Sequence, residues 1–156
     1  MKKYLAIIVL AIALPVGVWM ALPLFYDRHV NESLDYLMAT ETGVVDTGLE
    51  EPLVPSRSGE FIGKDGHSAS GTASIYELDG KFYLRLEDDF ATTNGPDLFL
   101  HLGNDGKYDS EARIAKLKGN IGGQNYEIPE GINPADFSEV WIWCRTFSVA
   151  FGVAAI

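Results

Sequence analysis

A single cysteine, Cys144, is all that this 156-residue chain contains. An internal disulfide is thereby excluded, as are the paired-cysteine patterns that hold zinc or iron–sulfur clusters. Histidine is scarce as well. His29, His67 and His101 are the whole supply, and no HxH or HExxH spacing links one of them to a second ligand. Positive charge is short: 12 Lys and Arg stand against 22 Asp and Glu, for a formal net charge of −10. Lys2 and Lys3 precede every acidic residue, so from Asp27 onward 10 basic residues face 22 acidic ones. Such a surface repels nucleic acid and anionic lipid headgroups, and nucleic acid is not expected as a partner. No nucleophile-elbow motif frames a serine. The glycines of Gly119–Gly123 precede a strand pattern and not a helix, unlike a phosphate-binding loop. Neither a hydrolase nor a nucleotide enzyme finds support, and no internal repeat or low-complexity tract is present.

What the chain does have is concentrated in Val140–Ile156, reading VWIWCRTFSVAFGVAAI. It holds Cys144 and two of the three tryptophans. Val140 and Ile142 fall on one parity, Trp141 and Trp143 on the other, as in a strand covered on both faces. β-branched and aromatic enrichment argues against a helix. Arg145–Thr146 interrupts the run, after which Phe147, Val149, Phe151 and Val153 alternate with smaller residues. Two strands, or one bent strand, are expected here at the centre of an all-β domain.

Tyr4–Tyr26 is an apolar run of about 23 residues, enough to cross a bilayer as a tilted helix. Lys2 and Lys3 on its near side predict a cytoplasmic N-terminus and an extracytoplasmic remainder, in the periplasm or at the cell surface. A cleaved signal peptide is the rival, but the run is long and bulky Leu24, Phe25 and Tyr26 crowd the cleavage region. The expected organisation is a membrane anchor over 1–28, a juxtamembrane stalk over 29–58 and a β domain over 59–156. Within the stalk, Val30, Leu34, Leu37 and Met38 sit at helical spacing behind Asn31 as N-cap. Thr42–Ser58 reads as a linker.

From Gly59 short strands alternate with turn residues, the pattern of an antiparallel β-sandwich or barrel. Gly59–Lys64, His67–Leu78 (with a bend at Gly71), Lys81–Leu86, Asp97–Leu102, Ala112–Leu117 and Gln124–Ile128 are expected strands. Asp79-Gly80 is a two-residue hairpin turn, and Asn104–Ser110 is a turn-rich loop. Asn133 and Pro134 suit the start of one helical turn. Phe82, Leu84 and Leu86 should point inward, with Tyr83 and Arg85 outward.

Several stretches together resemble the DM-thirteen domain, also called the electron-transfer DM domain. They are Gly59-Glu60-Phe61, His67 with Gly71, Leu84–Phe90, Asn94-Gly95-Pro96-Asp97-Leu98, Leu117-Lys118-Gly119-Asn120 with Gly122, Gln124–Pro129, Trp143-Cys144 and Phe147–Ala154. The resemblance covers Gly59–Ile156. It implies an extracytoplasmic β-sandwich and a redox or electron-transfer association, for which the family's cysteine, matched by Cys144, is the proposed basis. In animals and plants the family stands beside DOMON and cytochrome-b-type membrane domains. That company implies a membrane redox protein as partner.

Three readings of Cys144 are open. A thiolate in an electropositive, accessible setting would be a redox or covalent group. A buried thiol would be a small hydrophobe. A cofactor ligand is the third, although the sequence requires no cofactor. Glu87, Asp88, Asp89 and Asp97, with Asn94, offer oxygens for a cation; turn chemistry explains the same residues without one. His67 and His101 are either metal or haem ligands or hydrogen-bonded histidines.

Overall fold

The computed structural model describes residue 4 and residues 11–18, 26–34 and 53–156. Ten strands follow in chain order: β1 (Arg57–Gly63), β2 (Ala69–Ser70), β3 (Thr72–Leu78), β4 (Lys81–Leu86), β5 (Ala91–Thr92), β6 (Leu98–Asn104), β7 (Lys107–Lys116), β8 (Gln124–Glu127), β9 (Glu139–Cys144) and β10 (Val149–Ala155). Eight of them form one antiparallel sheet in the order β7-β6-β9-β10-β1-β3-β4-β8, and β2 pairs with β5 as a small ribbon. Pro134–Asp136 is a 3-10 turn capped by the Asn133 side chain, as its sequence led one to expect.

The expected two-layer sandwich is realised differently. Strand β1 pairs through Arg57–Glu60 with β3 and through Phe61–Gly63 with β10. One strand thus belongs to both halves. The sheet bends there and wraps almost into a barrel, which removes two of the four edges that separate sheets would expose. A single core fills the inside, drawing Ile75, Leu84 and Leu86 from one half and Leu98, Leu100, Val140 and Ile142 from the other.

β9 lies between β6 and β10, at the middle of its half-sheet, and its parity is as expected: Val140 and Ile142 inward, Trp141 outward. The alternation expected for 147–153 does not hold. Phe147 is in the β9–β10 turn and 59% exposed. A bulge between Ala150 and Gly152 inserts Phe151 as an unpaired residue. One extra residue reverses parity beyond it, so Phe151 and Ala154 face the core while Val153 joins Trp141 outside. Gly71 breaks the long expected strand at φ +87, and a Cβ there would meet the Asp89 carbonyl at 2.5 Å. β7 starts earlier than expected, because Asp105-Gly106 makes a tight hairpin and the strand carries its irregularities internally.

The helix expected from Val30 does not form in the described part of the stalk. Residues 28–33 instead run as an extended strap along the connection between β7 and β8. Val30 N–H donates to the Ile121 carbonyl and Glu32 N–H to the Gly123 carbonyl. Tertiary hydrogen bonds override the local helical spacing, which is a weak preference. The remainder of that helix and most of the linker lie outside the described residues, as does most of the expected membrane span. Residues 11–18 are helical, and no helix among the described residues is long and apolar enough to cross a membrane.

Gly119 decides whether the strap docks. A Cβ on it would lie 2.3 Å from the Arg28 carbonyl oxygen and 2.7 Å from a Val30 methyl. Gly119→Ala should therefore release the strap while leaving the barrel folded. Trypsin cleavage after Arg28 should accelerate about tenfold, the population change that 1.4 kcal/mol of local opening produces, with little change in the midpoint of global unfolding.

Candidate functional site

Alternation along β9 puts the sole thiol and the two tryptophans of this strand on opposite faces of one sheet. Cys144 points inward and is fully buried, packed in the core with Leu98 and its neighbours. Arg145, next in sequence, turns away: its Nε donates to Asp97 Oδ2 at 2.7 Å. The thiol is left among apolar core side chains, closed to solvent.

The outer face carries an aromatic cluster. Tyr108 stacks on Trp143 at 4.1 Å between centroids, and its edge meets His101 at 5.0 Å. Trp141 is buried beside them, its Nε1–H donating to Glu139 Oε2 at 2.9 Å, with the Lys64 ammonium 5.8 Å from its ring. Gly103 leaves room for Trp141; a Cβ would lie 2.7 Å from the indole nitrogen. Between Lys64, Asp65, Lys107, Tyr108 and the two indoles lies a shallow groove of about 440 Å³. The sequence reading placed Tyr108 in a loop and gave it no role. The β7 irregularity that folds it over the sheet has no local signature.

His101 is buried in this cluster, with Nδ1 2.9 Å from the Asp109 carbonyl oxygen. Burial pushes its pKa down, the Arg113 charge adds to that, and the Asp109 contacts oppose it. His67 stacks flat on Phe151 at 3.6 Å, far from any second ligand. Among the described residues no three His, Cys, Asp or Glu side chains converge as a metal would require.

The acidic residues of the β4–β6 connection are each engaged by protein donors, Glu87 and Asp88 by the same guanidinium. Glu87 accepts from Arg85 Nε at 2.7 Å and from the Tyr76 hydroxyl at 3.1 Å. Asp88 accepts from Arg85 Nη2 at 2.7 Å. Asp89 caps β3, accepting from Thr72 N–H at 3.0 Å and from its hydroxyl. Asp97 sits between Lys116 Nζ at 3.0 Å and Arg145 Nε. Burial would raise the Asp97 carboxyl, but the Lys116 and Arg145 hydrogen bonds outweigh it and hold it below the usual range. Asn94 bonds the Tyr26 carbonyl. The structure does not bring these oxygens together around one point.

Arg85 was expected outside. It is on the outer face but 4% exposed, because the strap covers it. Its Nη1 donates to the Glu32 carbonyl at 2.9 Å and to Asn125 Oδ1 at 2.8 Å. The Glu32 carboxylate in turn takes Lys118 Nζ at 2.8 Å and Asn125 N–H at 2.8 Å. No sequence signal joins residue 32 to residue 85.

The family model described as electron transfer DM13 matches residues 60–156, which is more than half of the chain and nearly all of the barrel. The chain belongs to the electron transfer DM13 family. No curated protein and no solved structure matches it. Within this DM13 domain β9 places the thiol of Cys144 inside and the rings of Trp141 and Trp143 outside, where Tyr108 stacks on Trp143.

Two outcomes follow for the DM13 domain. Cys144 should react with a thiol reagent only on unfolding at pH 7, and Cys144→Ser should cost about 1–3 kcal/mol in chemical denaturation, since a hydroxyl replaces a thiol without a partner. His101 has its folded pKa below the unfolded value of about 6.5. The unfolded chain therefore takes up the proton first, and stability present above about pH 6.5 falls as pH drops through that value toward the folded pKa. Melting temperature should decline from about pH 7 to 5, and His101→Gln should lose that part of the slope.

Proposed function

We propose that this protein is a membrane-anchored, extracytoplasmic electron-transfer module that works beside a membrane redox partner. The family match over residues 60–156 is the observation that carries the redox association. The apolar run from Tyr4 to Tyr26, behind Lys2 and Lys3, supports the anchor and its orientation. Burial of Cys144 bears on how the module would act. A partner's atoms have no path to the thiol in the folded domain, so thiol–disulfide exchange requires opening, whereas an electron need not. The Tyr108–Trp143 stack is half-exposed on the outer face, one residue along the chain from Cys144. It is the surface through which a docked partner would communicate with the interior.

A second reading is favoured by the same burial. In it the domain binds its partner without chemistry, and Cys144 is a core hydrophobe. The two readings part in right-side-out membrane vesicles that reduce ferricyanide, an impermeant one-electron acceptor, at their outer surface. Vesicles lacking the protein should reduce it more slowly, and the wild-type chain should restore the rate. On the electron-transfer reading, Trp143→Phe and Cys144→Ala, present at wild-type level, should not restore it. Full restoration by Cys144→Ala would make the thiol structural. A rate indifferent to loss of the whole protein would overturn the redox association.

A further inference from the structure

The strands run between two ends, and the chain enters the domain at one of them. Asn94 Nδ2 donates to the carbonyl of Tyr26, the last residue of the apolar run. Asn94-Gly95-Pro96-Asp97 leads directly to Leu98, which pairs with Cys144, and Arg145 N–H donates to the Asp97 carbonyl at 3.0 Å. The β9–β10 turn, 145–148, therefore stands at the same end as Tyr26. The loop after β8 lies at the opposite end, where the Ile128 N–H reaches the Phe82 carbonyl and Lys81 pairs with Glu127.

That turn has an unusual tip. Phe147 is 59% exposed and Tyr26 is 69% exposed, whereas every other described phenylalanine is buried or half-buried. Cations gather on one side of this tip in a chain whose net charge is −10, while Asp65 reaches its other side, accepting from Ala150 N–H at 3.0 Å. Arg113 and Arg145 both lie over the Phe99 ring, at 5.4 and 4.8 Å, and Lys116 stands beside them. Asp97 pairs with two of these three cations, Lys116 at 3.0 Å and Arg145 at 2.7 Å. From Asn94 to Asp97 is three residues, at most about 10 Å of chain. The headgroup layer on one side of a bilayer is roughly 5–8 Å deep. A helix leaving the bilayer at Tyr26 would thus hold the 94–97 loop, and the turn bonded to it, within or just above the headgroup layer, no more than about 10 Å from the Asn94 contact.

The geometry points to this end of the barrel as a lipid-contacting face. Phe147 enters the interfacial region, and Arg145, Lys116 and Arg113 meet anionic headgroups. An exposed aromatic tip backed by basic residues is the combination that binds such an interface. The opposite end, with Glu127 and Glu130, points away into solvent. The outer aromatic groove is then held to the side of the domain, open to a neighbouring membrane protein. This inference rests on the anchored reading above.

The test uses the full chain reconstituted in vesicles containing phosphatidylglycerol, with an environment-sensitive fluorophore at Phe147→Cys or, separately, at Glu130→Cys. Parent protein without either substitution reports any labelling of buried Cys144, and Thr146→Cys gives a second reporter on the same turn. Quenching by aqueous iodide should be about fivefold weaker at 147 than at 130, as for a ring below the headgroup surface. Bromine on the lipid chains should quench 147 and not 130. Lys116→Glu with Arg145→Glu should return the label at 147 toward water. Protein that resists alkaline-carbonate extraction, with 147 and 130 equally open to iodide, would overturn the lipid contact and leave the anchor standing. Release of the protein by carbonate would overturn both.

Discussion

A strand that serves two half-sheets sets the architecture. β1 gives its first four residues to β3 and its last three to β10. With that bend in place, the inward residues of eight strands converge on one volume, and no second core is needed. Burial of apolar surface then does what it does in any small domain, but its geometry is dictated by where β1 turns. The bend leaves two edges, β7 and β8, which the chain itself joins through residues 117–123. Side chains fill that seam: Gln124 bonds both the N–H and the carbonyl of Gly119, and the Tyr126 hydroxyl bridges Gln124 and the Lys118 N–H.

The strap over this seam couples two parts of the chain that the sequence separates. Arg85 is buried only because residues 28–33 lie over it, and it is satisfied by Glu32, Glu87, Asp88 and Asn125. Undocking the strap would break the Arg85 bond to the Glu32 carbonyl and the Glu32–Lys118 pair, so the network resists it. A segment read as a juxtamembrane stalk is, over residues 28–33, attached to the barrel. The entry point of the chain and the end of the barrel it meets are thereby set by specific hydrogen bonds.

Face alternation along β9 separates the two kinds of redox-capable group. The thiol is held in the core, closed to solvent. The aromatic rings lie on the outside, where a partner can approach.

Periodicity determined much of this from the sequence alone. The alternation of Leu98, Leu100 and Leu102, and of Val140 and Ile142, is a local consequence of the two-residue repeat and needs no partner to be read. Asp79-Gly80 and Asn133-Pro134 announce their turns through φ preferences of single residues. The order of short motifs from Gly59 to Ala154 carried the family. The tertiary structure decided the rest, because those features depend on residues far apart in the chain. The bulge at Phe151 reversed the parity of Val153, and whether a strand bulges is settled by its neighbours' registers. The bend in β1 depends on two partners competing for one strand. Val30 and Leu34 had helical spacing, but Ile121 and Gly123 offered hydrogen bonds that an extended backbone satisfies. Arg85 became buried, and Tyr108 came to rest on Trp143, through contacts that no local window contains.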